Sequence, residues 1–435
     1  MTQTLESPRS DVPAVPVPPD EGPAAVVRLA AVIGALVVAA VYFGVWRTVA
    51  VMSAVILMIM LHELGHFVMA RRAGMKVTEF FLGFGPRLWS IRRGETEYGI
   101  KAIPVGGYVR VIGMNNLDEV DPADEPRTYR AQGYLARLGM ASAGSIVHFI
   151  LAFALLVGIY AGTGVTDPDK ATARPVIDQV IAAEEFGGRT SPAAKAGLRP
   201  GDRIVALDGQ PVRSWEDVPK HIGPRVEQPI VMTIDRNGTR RDITVVTASS
   251  KEVRNDKVAT GLVGIAPEVD PGPVERVNPA VAVGRSAKQL VTLTGQTVTG
   301  LVRMFTPSSI GDYGDQLTGK PLSDPAAEGN RFLSPVGLVN LASDVSAVGL
   351  REVLMLLVLI NVFVGMFNMI PLPPFDGGHV AVATYEAIRS KITGRRHQVD
   401  MNKLLPVAWG VIILLLLISV SALYLDIKSP LDLNG

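Results

Sequence analysis

Four stretches of this chain, residues 26–70, 138–161, 353–370 and 404–425, are apolar over lengths that a soluble fold rarely uses. A helix crosses a bilayer with about 20 predominantly apolar residues, because its backbone polar groups can be satisfied only within the segment itself. The first stretch is too long for one crossing: from Leu29 to Leu61 a helix would run ~50 Å against a hydrocarbon core of ~30 Å. Trp46-Arg47-Thr48 places an aromatic ring and a cation where an interface would suit them. The pattern therefore predicts two helices here, about 27–46 and 48–70, and five spans in all. One tilted helix with a frayed apolar start is the alternative.

Residues 1–25 hold prolines at 8, 13, 16, 18, 19 and 23 and little to bury, which predicts a disordered tail. No signal-peptide pattern precedes the first span, which is expected to remain as an anchor. Basic residues then set the orientation. Arg71, Arg72, Lys76, Arg87, Arg92, Arg93, Lys101 and Arg110 follow the second span, and Arg389, Lys391, Arg395, Arg396 and Lys403 follow the fourth. Both segments are expected on the cytoplasmic side, with 163–350 and the C-terminus outside. The formal net charge of +1 gives no argument for a nucleic-acid partner.

The 435 residues include no cysteine, which excludes disulfides, thiolate metal sites and a Cys nucleophile. Any metal must be held by His, Asp or Glu, and there are six His. Two of them lie in His62-Glu63-Leu64-Gly65-His66, an HExxH pattern. On a helix, positions i and i+4 share a face, so both imidazoles can reach one zinc with Glu63 beside it. The pattern ends an apolar run, and ionisable residues at membrane depth are functional candidates. A catalytic zinc needs a third protein ligand and an open position. The fourth span offers one where Pro371, Pro373 and Pro374 stop a helix just before Asp376. Asp376 reads either as that ligand or as a plain helix cap, and His379 is a rival ligand or a supporting residue.

The remaining chain divides by pattern. Residues 77–113 have strand character punctuated by Gly and Pro, as a membrane-associated β-loop or an ordinary hairpin. Residues 174–267 read as a compact α/β module with strands on either side of Asn237-Gly238. Residues 281–305 suit an amphipathic surface helix, and 311–330 a mobile polar loop. Asn361 and Asn368 share a helix face, as substrate contacts or as helix–helix hydrogen-bonding groups.

These motifs together resemble the site-2 protease family of intramembrane zinc metalloproteases, in the PDZ-bearing form that regulates sigma factors in actinobacteria. The matching pieces are HELGH at 62–66, Phe84-Gly85-Pro86 through Glu95-Thr96-Glu97-Tyr98, Gly106-Gly107-Tyr108, a PDZ-type segment around 191–209, and the Asn-x-x-Pro-x-Pro-x-x-Asp-Gly run at 368–377. They span roughly residues 48–425. The resemblance implies His62, His66 and Asp376 as zinc ligands and Glu63 as catalytic acid–base. It also implies Asn361 and Asn368 as substrate-positioning groups. One departure stands out: the family's Gly-Pro-x-x-Asn reads Gly144-Ser145-Ile146-Val147-His148 here. His148 stands where the substrate-polarising Asn would be, and reads as a hydrogen-bond donor in its place, as an extra ligand, or as a tolerated polar residue on the inner face.

The expected fold is a polytopic α-helical membrane protein of about five spans with a membrane-associated β-loop and one extracytoplasmic α/β PDZ domain. Its segments are a cytoplasmic tail (1–25), an extra N-terminal span (26–46), the HExxH span (47–76), a β-loop and cytoplasmic segment (77–137), and a span (138–162). The PDZ domain (174–267), an amphipathic region and loop (268–350), a span with the Asp-Gly break (351–390), and a cytoplasmic loop with the last span (391–435) follow. The expected partners are single-span membrane proteins such as anti-sigma factors, already cut by a site-1 protease, together with a peptide in the PDZ groove and the lipid bilayer. The expected location is the plasma membrane, with the active site near the cytoplasmic face. A PDZ scaffold with weakened catalysis, a quality-control protease for remnant signal peptides, and a metal transporter are the competing readings. Transport is disfavoured because no internal repeat is visible.

Overall fold

In the computed structural model, residues 23–114, 118–166, 172–181, 186, 190–254, 258–270, 272, 274–320 and 331–428 are described. Of the expected tail at 1–25, residues 1–22 lie outside them, and residues 23–25 are corrected to the first turn of α1. In chain order the elements begin with α1 (Pro23–Tyr42), α2 (Trp46–Arg72), β1 (Val77–Arg93), β2 (Thr96–Val111), α3 (Tyr134–Gly158) and β3 (Val165–Thr166). Next come β4 (Thr172–Val180), α4 (Pro192–Lys195), β5 (Arg203–Leu207), β6 (Gln210–Pro211), α5 (Asp217–Ile222), β7 (Pro229–Arg236), β8 (Thr239–Val246), β9 (Ala248–Ser249) and α6 (Ser250–Arg254). The chain continues with β10 (Gly261–Leu262), β11 (Ile265–Asp270), β12 (Val274–Glu275), α7 (Pro279–Met304), α8 (Pro307–Thr318) and α9 (Pro335–Val348). It closes with α10 (Leu350–Phe367), α11 (Asp376–Thr393) and α12 (Leu405–Lys428).

Among the described residues, four helices are long and apolar enough to cross a membrane: Trp46–Arg72, Tyr134–Gly162, Leu350–Phe367 and Met401–Lys428. The break between α1 and α2 falls at Phe43–Val45, slightly before the expected Trp46-Arg47-Thr48. Gly44 takes a φ of 73°, a conformation that ends a helix at little cost to glycine. Trp46 and Arg47 are already helical, with the guanidinium 5.5 Å from the indole centroid.

The chain forms two compact units. The first comprises Met1–Val147 with Asp376–Leu405, the second His148–Phe375 with Pro406–Gly435. In the first, β1 and β2 are each bent into two arms. Glu79 to Leu82 pair with Arg110 to Gly107 on one side and with Glu97 to Ile100 on the other, while Arg87 to Arg93 pair with Lys101 to Thr96. The result is a small four-armed sheet. The bend in β1 follows Gly83, whose φ of 86° and whose missing Cβ, 2.7 Å from the Ile103 carbonyl oxygen, require glycine. A buried cluster of Ala70, Met75, Val77, Val111, Tyr129 and Met140 ties the end of α2 to both strands and to the start of α3.

In the second unit, β11-β4-β5-β7-β8 form one sheet, with β6 added on β5. Ile230, Met232 and Ile234 alternate along β7 into a core with Ile177, Ile204, Leu207, Val218, Ile222 and Val245. Asn237 and Gly238, at φ 54° and 80°, close the β7–β8 hairpin as their sequence predicts. This α/β module is followed by α7, whose Leu293 packs with Ala152, Leu156, Ile159, Val358 and Val362. The expected polar loop at 311–330 is corrected by the structure over its first part: residues to Thr318 form α8. Thr306 caps its start by accepting from the Ser309 N–H, and Gly319 ends it in a left-handed conformation. Residues 321–330 lie outside the described residues.

Candidate metal centre

His62 and His66 leave one face of α2 and are both buried. Asp376 opens α11. The proline-rich stretch before it stops α10 at Phe367, as the missing N–H groups require. Within the first unit the three side chains converge. His62 Nε2 and His66 Nε2 are 3.1 Å apart. Asp376 Oδ2 lies 3.3 Å from the first and 3.2 Å from the second.

The chemistry of this triangle points to a cation. His66 Nδ1 lies 2.7 Å from the Met140 carbonyl oxygen, which can only accept, so Nδ1 carries the hydrogen. The neutral ring then turns the lone pair of Nε2 toward its two neighbours. Asp376 Oδ2, shielded from solvent, makes no hydrogen bond. Lone pairs crowded together away from water repel unless a positive charge lies between them. Tetrahedral zinc holds N and O ligands at about 2.0–2.2 Å, which places neighbouring ligand atoms roughly 3.3 Å apart. The observed spacings of 3.1–3.3 Å fit that demand. Among the described residues this is the one His, Asp and Glu group arranged for a metal.

The site is seated by small residues. A Cβ on Gly144 would lie 2.3 Å from His62 Cε1 and 2.5 Å from both ring nitrogens, so the imidazole rests directly on the α3 backbone. A Cβ on Gly65 would meet the Ala143 carbonyl oxygen at 2.9 Å and Val147 at 2.8 Å, so α2 and α3 approach closely here. Glu63 is half-buried and within electrostatic reach of His62, His66 and Asp376. Its Cγ would be 3.2 Å from a Cβ on Gly107, which sets it against β2.

A model of peptidase family M50 matches residues 50–416. The chain belongs to peptidase family M50, the site-2 proteases. It is 32% identical over 406 residues to the zinc metalloprotease Rip1 of Mycolicibacterium smegmatis, covering 87% of this chain and 97% of that one. To the zinc metalloprotease Rip1 of Mycobacterium tuberculosis it is 31% identical over 407 residues, covering 87% and 96%. This M50 member is a zinc metalloendopeptidase, and its apolar helices make it a membrane protein.

The other sequence-derived residues of this M50 chain fall in different places. His379 lies less than one turn beyond Asp376, outside the three-atom group, with its ring edge-on to Tyr129 at 6.2 Å. Burial pushes the Tyr129 phenol up to about 12, although the neighbouring Arg137 pulls the other way, so it stays neutral at physiological pH. In the second unit, His148 Nδ1 and Asn361 Oδ1 are 2.8 Å apart, and the Asn361 amide donates to the Leu357 carbonyl at 2.8 Å. Both residues are buried. Asn368 caps the end of α10. The Met140 carbonyl carries no sequence signal of its own, and Gly107 is visible only within the Gly106-Gly107-Tyr108 match. Gly144 is visible only as part of the departing Gly-x-x-x-His run.

Proposed function

We propose that this peptidase cleaves the transmembrane segments of single-span membrane proteins, anti-sigma factors among them, as the second cut after an outer trimming step. The observation that carries the reading is the triangle of His62, His66 and Asp376 built on α2, itself a membrane-spanning candidate. In this reading those three residues hold zinc, which when bound supplies Lewis-acid activation of water and of the scissile carbonyl. Glu63 takes a proton from the attacking water and returns it to the leaving amine. A helical substrate must first unwind, since its amides are bonded internally. The arms of the β1–β2 sheet offer replacement hydrogen bonds by strand addition.

Helix α1 serves as a fifth span, and the α/β module as an outer PDZ domain that admits already trimmed proteins. The strand order leaves β11 at one edge of the sheet, and an open edge is where an extended peptide can add a strand. The plasma membrane, with the centre near its cytoplasmic face, agrees with the basic residues after the second and fourth expected spans. A second reading, a scaffold with weakened catalysis, draws on the His148–Asn361 contact, because two residues expected to hold substrate engage each other.

Glu63→Gln separates the two. Zinc content and reporter cleavage are measured together on the purified full chain. Retained zinc with cleavage reduced ~10²-fold or more agrees with a general acid–base contribution. Unchanged cleavage sinks the proposed mechanism.

A further inference from the structure

A cavity of about 320 Å3 lies in the first unit, and none of the metal ligands line it. Its walls come from the turn before α3, from the first turn of α3, from the last turns of α11 and from the segment that follows it. Three guanidiniums line it, those of Arg130, Arg137 and Arg396, against the single carboxylate of Glu386. That carboxylate is already engaged: Arg137 Nη1 pairs with it, and the Val399 N–H donates to its other oxygen at 2.6 Å. Arg137 Nε, shielded from solvent, has no acceptor. Arg130 is held from outside the cavity by Glu125, at 2.6 Å and 2.9 Å. Arg396 is fixed by donating to the Arg130 carbonyl at 2.6 Å rather than by a carboxylate. With Arg130 paired to Glu125 and Arg137 to Glu386, Arg396 carries the excess positive charge, and the N-terminal end of α3 adds its partial positive charge.

Its level relative to the bilayer follows from chain connectivity. Residues 130–137 run directly into the span that begins at Tyr134, and 396–398 stop three residues before the span that begins at Met401. A basic recess at the mouth of two spans sits where lipid phosphates lie. We propose that this cavity is a binding site for the phosphate of an anionic phospholipid headgroup, with Arg396 as its main contact. The site anchors the α3–α11 corner at the interface and is independent of the zinc chemistry proposed above.

The test uses the full chain in nanodiscs and in detergent, with phosphatidylglycerol, phosphatidylcholine and inorganic phosphate as probes. Native mass spectrometry is expected to retain one phosphatidylglycerol in preference to phosphatidylcholine. Arg396→Gln is expected to weaken that retention roughly tenfold, the loss of one charge-assisted contact. Arg389→Gln, a neighbouring cation outside the cavity lining, is expected to leave it unchanged. Equal retention of both lipids, or an equal loss in the two variants, overturns the site. Inorganic phosphate displacing the lipid at equal concentration overturns the lipid assignment. Because Arg396 is exposed, its replacement leaves the buried Arg137–Glu386 pair in place, and thermal unfolding of the variant in detergent checks that the fold is intact.

Discussion

The α/β module and the metal centre both bury charged side chains, and they do so by opposite rules. In the module, Asp202 is almost wholly buried and fully answered. Arg236 grips both oxygens at 2.6 Å and 2.7 Å, and the Arg199 N–H donates at 2.8 Å. Both carboxylate oxygens accept from hydrogens, so the pair locks β5 to β7. In the metal centre, two imidazole nitrogens and a carboxylate oxygen face one another, with His66 oriented so that its hydrogen points away. An arrangement that is complete holds a fold, whereas one left wanting a cation can do chemistry.

The strongest way to break this contrast is Gly144→Ala. The new methyl would stand about where the His62 ring lies, in contacts no packing shift of a few tenths of an ångström relieves. Zinc content and reporter cleavage are expected to fall together, cleavage by ~10²-fold or more, since a misplaced ligand of about 1 Å costs that much. Gly158→Ala, on the same helix with open space around it, is expected to change neither. Equal behaviour of the two variants would remove the case for Gly144 as the seat of His62.

Removing the module's lock should do the reverse. Arg236→Ala leaves Asp202 without its guanidinium partner and is expected to destabilise the module locally. Hydrogen exchange would register faster opening of β5 and β7, while zinc content stays at the wild-type value. A fall in zinc in this variant would mean that the two regions are not energetically separate.

The smallest effect concerns pH. Burial alone would raise the Asp202 carboxyl, but the Arg236 guanidinium and the Arg199 N–H outweigh it and hold the group below the ordinary carboxylate range. A carboxyl depressed on folding stabilises fully above its unfolded value near 4 and loses that contribution as pH falls through the folded value. Exchange in β5 and β7 should therefore stay slow at neutral pH and accelerate on acidification below about 4. Arg236→Ala should flatten this dependence.

Much of the fold was legible from local pattern. Apolar length predicted the four stretches that carry helices long and apolar enough to cross a membrane, and Asn237-Gly238 predicted the β7–β8 hairpin. The misreadings were also local. Gly44 outweighed Trp46-Arg47-Thr48 as the helix break, because a left-handed φ ends a helix whereas an interfacial residue does not. In 311–320, the Gly and Asp content suggested a loop, yet Thr306, Pro307 and Gly319 punctuate a helix at its cap, first turn and end.

By itself the sequence determined the kind of chemistry available. A chain without cysteine, with HExxH on an apolar helix, can present two imidazoles at one helical spacing and little else to a metal, because 3.6 residues per turn fixes that spacing. Asp376 was already implied by the resemblance as the oxygen that joins them, whereas which carbonyl sets the His66 tautomer and which glycine makes room for His62 were decided only by the tertiary structure. Asp376, Met140 and Gly144 are remote from 62–66 in sequence, and packing of α2 against α3 and α11 brings them within contact distance.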